Sequence, residues 1–169
     1  MRPPGLRYAD QVAAIDFAER QITLKVVYCG PPLSGKTSNL AALYARADER
    51  GRGRLMTLDT KDDRTLFFDL LPMVIRTANL AFRIKVYTVP GQPIHEATRR
   101  VVLTGADGVV FVADSAPDRR DANRDSWIQT TRLLQSNGAE RIPMVLQYNK
   151  RDLADAVAWD DADRFDDHH

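Results

Sequence analysis

The chain has 169 residues, which suits one domain with one hydrophobic core. Apolar residues make up 44% and charged residues 28%, a balance typical of soluble globular proteins, and the net charge of +1 argues against nucleic-acid binding. No apolar run reaches the roughly 20 residues of a membrane span, and the amino terminus lacks the apolar stretch of a signal peptide. We therefore expect a cytoplasmic protein.

Cys29 is the single cysteine, so an intrachain disulfide is excluded. It lies in the apolar run 26–29, which favours a small core residue over a reactive thiol.

The first half of the chain contains one clear strand and one clear helix. The run 22–28 is β-branched and apolar and predicts a strand. After a loop, the apolar spacing from Lys36 predicts a helix that we expect Gly51 and Gly53 to end. The segment 55–75 is ambiguous, because its apolar stretch fits a strand or a buried turn.

The second half alternates strand and helix. Alternating apolar residues predict a strand at 80–89, and a helix is expected at 93–104. An apolar run at 108–113 is typical of a central parallel strand, helical spacing follows at 119–137, and 144–148 is another buried strand. This alternation predicts an α/β sheet with right-handed crossovers. We expect an amino-terminal extension at 1–13, one domain at 14–153, and an acidic tail at 154–169 with the composition of a disordered segment.

The segment 30–37 reads GPPLSGKT and matches the phosphate-binding P-loop spacing. Gly30 and Gly35 allow the backbone to turn tightly, and successive N–H groups form an anion nest at a helix amino terminus. Lys36 would reach the β- and γ-phosphates, and the Thr37 hydroxyl would bind Mg²⁺. A chance glycine-rich turn is the alternative, and the preceding strand and following helix argue against it.

Asn149, Lys150 and Asp152 follow a buried strand. The Asp152 carboxylate can accept hydrogen bonds from two adjacent guanine donors that adenine lacks, with Asn149 bracing the loop and the Lys150 stem packing on the base. The four-residue match at 149–152, NKRD, is weak evidence alone, but in register after a P-loop it favours GTP and GDP.

The segment 88–92 reads TVPGQ at a strand end. Gly91 can offer its N–H to a γ-phosphate, and Gln92 can orient an attacking water. Read alone, the Pro-Gly pair is a turn; read with the other motifs, it favours a catalytic role.

These motifs, together with RTLFFD at 64–69 and GVVFVADS at 108–115, resemble the bacterial MglA group of Ras-like GTPases. The likeness runs from about residue 14 to about residue 153. Thr88 stands where most Ras-like proteins have a metal-facing aspartate, and this exchange is a mark of the group.

The resemblance implies a P-loop NTPase fold, a Ras-like three-layer sandwich with a mostly parallel sheet. It implies that Thr65 binds Mg²⁺ and the γ-phosphate, and that Arg64 acts as an arginine finger in cis. A surface arginine that pairs with Asp62 or Asp63 is the alternative. It further implies a roadblock-fold activator, MglB, effectors of polarity or gliding motility, and a shift of the second strand on switching.

The expected site has three groups of residues. The catalytic residues are Gln92, Arg64 and Lys36, and the metal ligands are Thr37 and Thr65. The nucleotide would be held by Gly30, Leu33, Ser34, Gly35, Lys36, Thr37, Ser38, Thr65, Gly91, Asn149, Lys150 and Asp152.

The carboxyl end departs from the Ras-like pattern. Only 17 residues follow Asp152, so we expect the fold to lack its last strand and helix, and the protein to be marginally stable without nucleotide or a partner. A guanine-nucleotide-binding scaffold without hydrolysis stays open as an alternative. An ATP-dependent P-loop kinase would need an acceptor site and a lid, for which the sequence shows no signal.

Overall fold

The structure is a computed structural model that describes residues 14–59, 67–92 and 96–157. Seven strands and three helices occur within these ranges, and none of these helices has the length and apolar character needed to cross a membrane. The strands are β1 (Ala14–Asp16), β2 (Gln21–Cys29), β3 (Met56–Asp59), β4 (Phe67–Arg76), β5 (Ala81–Thr88), β6 (Gly108–Asp114) and β7 (Met144–Asn149). The helices are α1 (Lys36–Arg46), α2 (Glu96–Leu103) and α3 (Arg120–Ser136), with a short 3-10 turn at Pro117–Arg119.

The strands form one mixed sheet in the order β3-β4-β5-β2-β6-β7. β2 is parallel to β5 and to β6, and β6 is parallel to β7. β4 is antiparallel to both β3 and β5, so β3 runs in the direction of the parallel strands. The short β1 is antiparallel to the start of β2, which β6 does not reach. The sheet is therefore mostly parallel.

Helices pack on both faces of the sheet, so the fold has three layers with an apolar cluster on each side of the sheet. On one face, Leu40 of α1 packs with Leu71 of β4 and Val86 of β5. On the other, side chains of α2 and α3 pack against β2 and β6, and the Phe111 and Trp127 rings meet edge to face at 5.1 Å. Neighbouring residues of a strand serve opposite clusters, as the pleat requires. The predicted Ras-like three-layer arrangement is confirmed.

The clear periodic segments match the prediction closely. The strands expected at 22–28, 80–89, 108–113 and 144–148 are present, and α3 matches the helix expected at 119–137; no bound differs by more than one residue. A helix was expected at 93–104, of which the structure describes 96–104, and α2 occupies Glu96–Leu103.

Three features differ from the prediction. The ambiguous segment contains two antiparallel strands, β3 and β4, and β1 was not predicted. The expectation that Gly51 and Gly53 end the first helix was wrong, since α1 ends at Arg46. Asp48 explains the early end: its side chain accepts from the Arg50 N–H, and its carbonyl accepts from the Gly51 N–H. A short aspartate favours such a local turn over a helix.

Candidate functional site

The predicted motifs lie at one edge of the sheet, because β2, β5, β6 and β7 are parallel and their carboxyl ends face the same way. Ligands of open α/β sheets bind at this edge. A cavity of about 430 Å³ opens here between the P-loop and the ends of β4 and β5. Its lining includes Pro32, Leu33, Lys36, Thr37, Thr57, Phe68, Asp69, Thr88, Gly91 and Gln92.

The P-loop at 30–37 depends on backbone angles that favour glycine. Gly30 has φ 139° and Gly35 has φ 96°. A Cβ at Gly30 would meet the Val112 carbonyl oxygen at 2.3 Å, so the loop packs directly on β6. Leu33 also has positive φ, at 64°, and its side chain is 76% exposed. Leu33 is therefore a strained, exposed apolar residue at the mouth of the cavity.

Lys36 is buried and curls back over the loop. Its Nζ donates to the carbonyl oxygens of Gly30 at 2.9 Å and Pro31 at 2.6 Å. Burial lowers the pKa of Lys36 to about 8, and the nearby Arg99 guanidinium also lowers it. Both of these acceptors are neutral, so a bound phosphate would give the Lys36 ammonium a negatively charged partner. The P-loop thus fits an anion.

Asn149 joins the two predicted motifs. Its Nδ2 donates to the Ser34 carbonyl at 2.8 Å across 115 residues of sequence. A Cβ at Gly35 would lie only 2.2 Å from the same Nδ2, so the two segments are in close contact. A second connection runs from Gln147 Nε2 to Asn39 Oδ1 at 2.7 Å, and Asn39 in turn donates to the Gly35 carbonyl at 2.9 Å.

Lys150 has positive φ, at 61°, and its Nζ lies 2.7 Å from Oδ2 of the buried Asp114. The Arg119 Nε is 4.0 Å from the same oxygen. Asp152 is exposed in a turn that the Leu153 N–H closes on the Lys150 carbonyl at 3.3 Å. The turn at 150–153 thus begins on β7 and is anchored to the end of β6.

Asp69 of β4 supplies a carboxylate that the sequence analysis did not identify. Its Oδ2 accepts from Thr37 at 2.7 Å and from Thr88 at 2.9 Å, and its Oδ1 accepts from Thr57 at 2.9 Å. Thr88, at the position where an aspartate is usual in Ras-like proteins, therefore hydrogen-bonds a carboxylate from the neighbouring strand. A single aspartate within the apolar part of β4 was the available signal.

Gly91 packs against the P-loop backbone. A Cβ at this position would lie 2.4 Å from the Pro32 nitrogen and 2.5 Å from the Pro31 carbonyl carbon, so a side chain would push the two loops apart. Gln92 is exposed and borders the same cavity as Lys36 and Thr37.

For three further residues of the predicted site, the structure gives no side-chain contact that tests their role. Ser38 follows Thr37 on α1 and is exposed, and no hydrogen bond of its side chain was found among the described residues. Arg64 and Thr65 lie outside the described residues, so their roles stay predictions.

The residues at this edge fit Mg²⁺ as well as phosphate. Mg²⁺ prefers oxygen ligands, keeps several waters and needs few protein groups beside substrate phosphates. The Thr37 hydroxyl and the Asp69 carboxylate offer such oxygens 2.7 Å apart. In the part of the chain that the structure describes, no three His, Cys, Asp or Glu side chains cluster as a metal cage of their own.

Comparison with known proteins gives two relatives, while no family model matches the chain. The chain is 45% identical over 146 residues to the mutual gliding-motility protein MglA of Myxococcus xanthus (strain DK1622), covering 85% of this chain and 75% of the relative. It is 25% identical over 130 residues to ADP-ribosylation factor-like protein 3 of Chlamydomonas reinhardtii, covering 76% of this chain and 72% of the relative. The first relative has the identity and coverage expected within one family, so the chain belongs to the MglA family of small Ras-like GTPases.

Proposed function

We propose that this chain is a molecular switch that binds GTP and GDP with Mg²⁺ and hydrolyses GTP. The hydrogen bond from Asn149 to the Ser34 carbonyl carries the proposal. It brings the P-loop and the turn after β7 together at one sheet edge, as a nucleotide with its phosphates on the first and its base on the second would require.

The phosphates would be held by the nest of N–H groups at 33–37 and by Lys36. Pro31 and Pro32 have no N–H, so the donors of the nest begin at Leu33. Mg²⁺, when bound, would offset charge on the phosphates. The Thr37 hydroxyl would be its direct ligand, and we propose that Asp69 holds a water of its shell in place of the aspartate that Thr88 replaces.

The base would be read by the turn at 150–153. The exposed Asp152 carboxylate would accept from the paired donors of guanine. Lys150, fixed by Asp114, would present its aliphatic stem to the ring. ATP would lack the donor pair and bind more weakly.

Hydrolysis would use residues around the phosphate end of the cavity. Gln92 would orient the attacking water, and Lys36 would offset charge that develops on the phosphates. The resemblance adds Thr65 for Mg²⁺ and the γ-phosphate and Arg64 as a finger in cis. We expect slow turnover without an activating partner.

The proposed biological role is inferred from the similarity to the Myxococcus xanthus protein. The name of that relative refers to gliding motility, and we propose that this chain controls bacterial cell polarity or motility from the cytoplasm. A roadblock-fold activator of the MglB kind would accelerate hydrolysis, and effectors would bind the GTP form.

The test has a binding part and a turnover part. Nucleotide that co-purifies with the protein is identified, and GTP and ATP compete for the site; preferential ATP binding would contradict the proposal. Phosphate release is then followed over hours with Mg²⁺ and GTP. Gln92→Leu is expected to lower the rate roughly 100-fold with GDP affinity retained.

Gln135→Leu, an exposed exchange on α3 outside the cavity, is the matched control and should keep the rate of the unmodified chain. Tight GTP binding without phosphate release, even with an activator added, would favour the non-hydrolysing scaffold.

A further inference from the structure

A groove between α2 and α3 carries an excess of positive charge. Its cavity of about 350 Å³ is lined by three arginines, Arg99, Arg100 and Arg132, and by one carboxylate, Glu96. Glu96 already pairs with Arg100 at 3.4 Å. Among the described residues, the other two guanidinium groups have no ion pair. The groove is therefore complementary to an anion.

Arg99 is the buried member of this groove and is only 5% exposed. Its hydrogen bonds go to neutral acceptors: Nη2 donates to Gln129 Oε1 at 3.1 Å, and Nη1 reaches the Gly91 carbonyl at 3.5 Å. Its Nε is buried without a hydrogen-bond partner in the described part of the chain. Burial lowers the pKa of Arg99, and the negative charge of Glu96, which pairs with Arg100, opposes this only in part. A buried cation with an unused donor is stabilised by a further negative group.

The shape of the groove favours an extended ligand. One wall is a single face of α2 from residue 96 to 100, and the other is a single face of α3 from 129 to 136. At 1.5 Å per residue, the α3 wall is about 10 Å long, which exceeds the size of one phosphate group. Arg132 is exposed on this wall, whereas Arg99 lies deep.

We propose that the groove between α2 and α3 binds an acidic peptide segment of a partner protein. One carboxylate pairs with Arg99, and a second pairs with Arg132. Planar guanidinium groups suit this task because each can donate two parallel hydrogen bonds to a carboxylate.

The groove is connected to the candidate nucleotide site through Arg99. Its guanidinium contacts the carbonyl of Gly91, and Gly91 packs on the Pro31–Pro32 peptide of the P-loop. A carboxylate that draws Arg99 away from Gly91 would change the rate at which GDP dissociates. This consequence rests on the proposed function, whereas the binding of the peptide does not.

The experiment uses the full chain and fluorescein-labelled hexaglutamate, with labelled hexaglutamine as the neutral control peptide. Binding is measured by fluorescence anisotropy at low ionic strength. Arg132→Glu is expected to weaken hexaglutamate binding by at least about tenfold, and Arg132→Gln by less. Arg124→Glu changes the same charge at an exposed position of α3 outside the groove and should change the affinity less than about twofold.

Three results would overturn the proposal. Hexaglutamate binds no more tightly than hexaglutamine, Arg124→Glu weakens binding as much as Arg132→Glu, or inorganic phosphate binds as tightly as the peptide. Circular dichroism of each variant verifies the fold. An unchanged GDP dissociation rate with the peptide bound would overturn only the connection to the nucleotide site.

Discussion

Lys150 and Asp114 form an ion pair of 2.7 Å that joins the ends of two neighbouring strands, β7 and β6. Asp114 is buried, and its Oδ1 also accepts from the Ala116 N–H at 3.1 Å. Its carboxylate therefore holds the lysine that we assign to the base. The pairing explains how Lys150 can keep a backbone with positive φ, since the ion pair offsets a conformational cost of about 1–2 kcal/mol.

Asp114→Asn should weaken nucleotide binding, because the amide keeps the shape of the side chain but cannot neutralise Lys150. A charge-assisted hydrogen bond contributes about 1.5–3 kcal/mol, and the partial exposure of Lys150 favours the lower end, so we expect roughly a tenfold loss of GDP affinity. Displacement of a fluorescent GDP analogue measures it. Asp118→Asn, at an exposed position in the next turn, is the control, and equal losses in both variants would contradict the assignment.

Gly35→Ala should be much more destructive than Gly138→Ala. Both glycines have positive φ, 96° and 68°, so both exchanges carry backbone strain of about 1–2 kcal/mol. Only at Gly35 would the new Cβ also force the Asn149 amide to move and lose its hydrogen bond to the Ser34 carbonyl, whereas nothing lies within 4 Å at Gly138. Thermal unfolding and GDP binding of both variants measure the difference. Similar melting points and similar GDP affinities would show that the contact between the two motifs is unimportant.

The pKa of Lys36 predicts a pH dependence. Burial lowers this pKa to about 8 in the folded chain, against an ordinary lysine pKa of 10.5. Burial of the Lys36 ammonium destabilises the nucleotide-free fold fully below about pH 8. Between about pH 8 and 10.5 the unfolded chain binds more protons than this fold, so the free energy of unfolding rises with pH as this cost is lost. Phosphate favours the charged form, so GDP binding should take up a proton above pH 8, and affinity should fall by up to about tenfold per pH unit.

Calorimetric titration of GDP in buffers with different heats of ionisation measures this proton uptake at pH 7 and pH 8.5. Lys25→Gln removes another partly buried lysine, which lies away from the cavity, and should leave the uptake unchanged. Equal proton uptake at the two pH values would refute the prediction.

Asp69→Asn should reduce the effect of Mg²⁺ on nucleotide retention. The exchange removes the negative charge that three threonine hydroxyls share, including that of Thr37. GDP dissociation is measured with Mg²⁺ and with a chelator, and we expect the difference between the two rates to shrink by roughly tenfold. Thr57→Val removes one of the three hydroxyl donors and should keep most of the Mg²⁺ effect. An unchanged Mg²⁺ effect in Asp69→Asn would exclude this aspartate from the metal site.

The sequence predicted the elements whose periodicity is strong and local. β6 is a continuous apolar run, and α3 has regular helical spacing. β4 was ambiguous because apolar residues occur on both of its faces with little alternation, and β1 is only three residues long. Local patterns cannot decide such segments, since their structure depends on the strands beside them.

In the site, too, the sequence identified the residues of local motifs and missed those whose contacts are distant in sequence. The P-loop and the stretch at 149–152 are contiguous motifs, so spacing identifies them. Asp69, Asp114 and Arg99 act through partners 32, 36 and 30 residues away in sequence. Asp69 is a charged residue in an otherwise apolar strand, Asp114 lies at the end of a strand, and Arg99 lies on the buried face of a helix. Only the folded arrangement shows what each of them contacts.

The shared direction of the parallel strands has a practical consequence. Every motif lies at their carboxyl ends, whereas the turns at Gly105 and Gly138 lie at the opposite edge of the sheet, where added atoms would meet open space. A fluorophore or a small inserted domain can be attached there without touching the nucleotide. The turn at Gly138 follows the end of α3, one wall of the arginine-lined groove, so a fluorophore there would lie next to that groove and away from the P-loop.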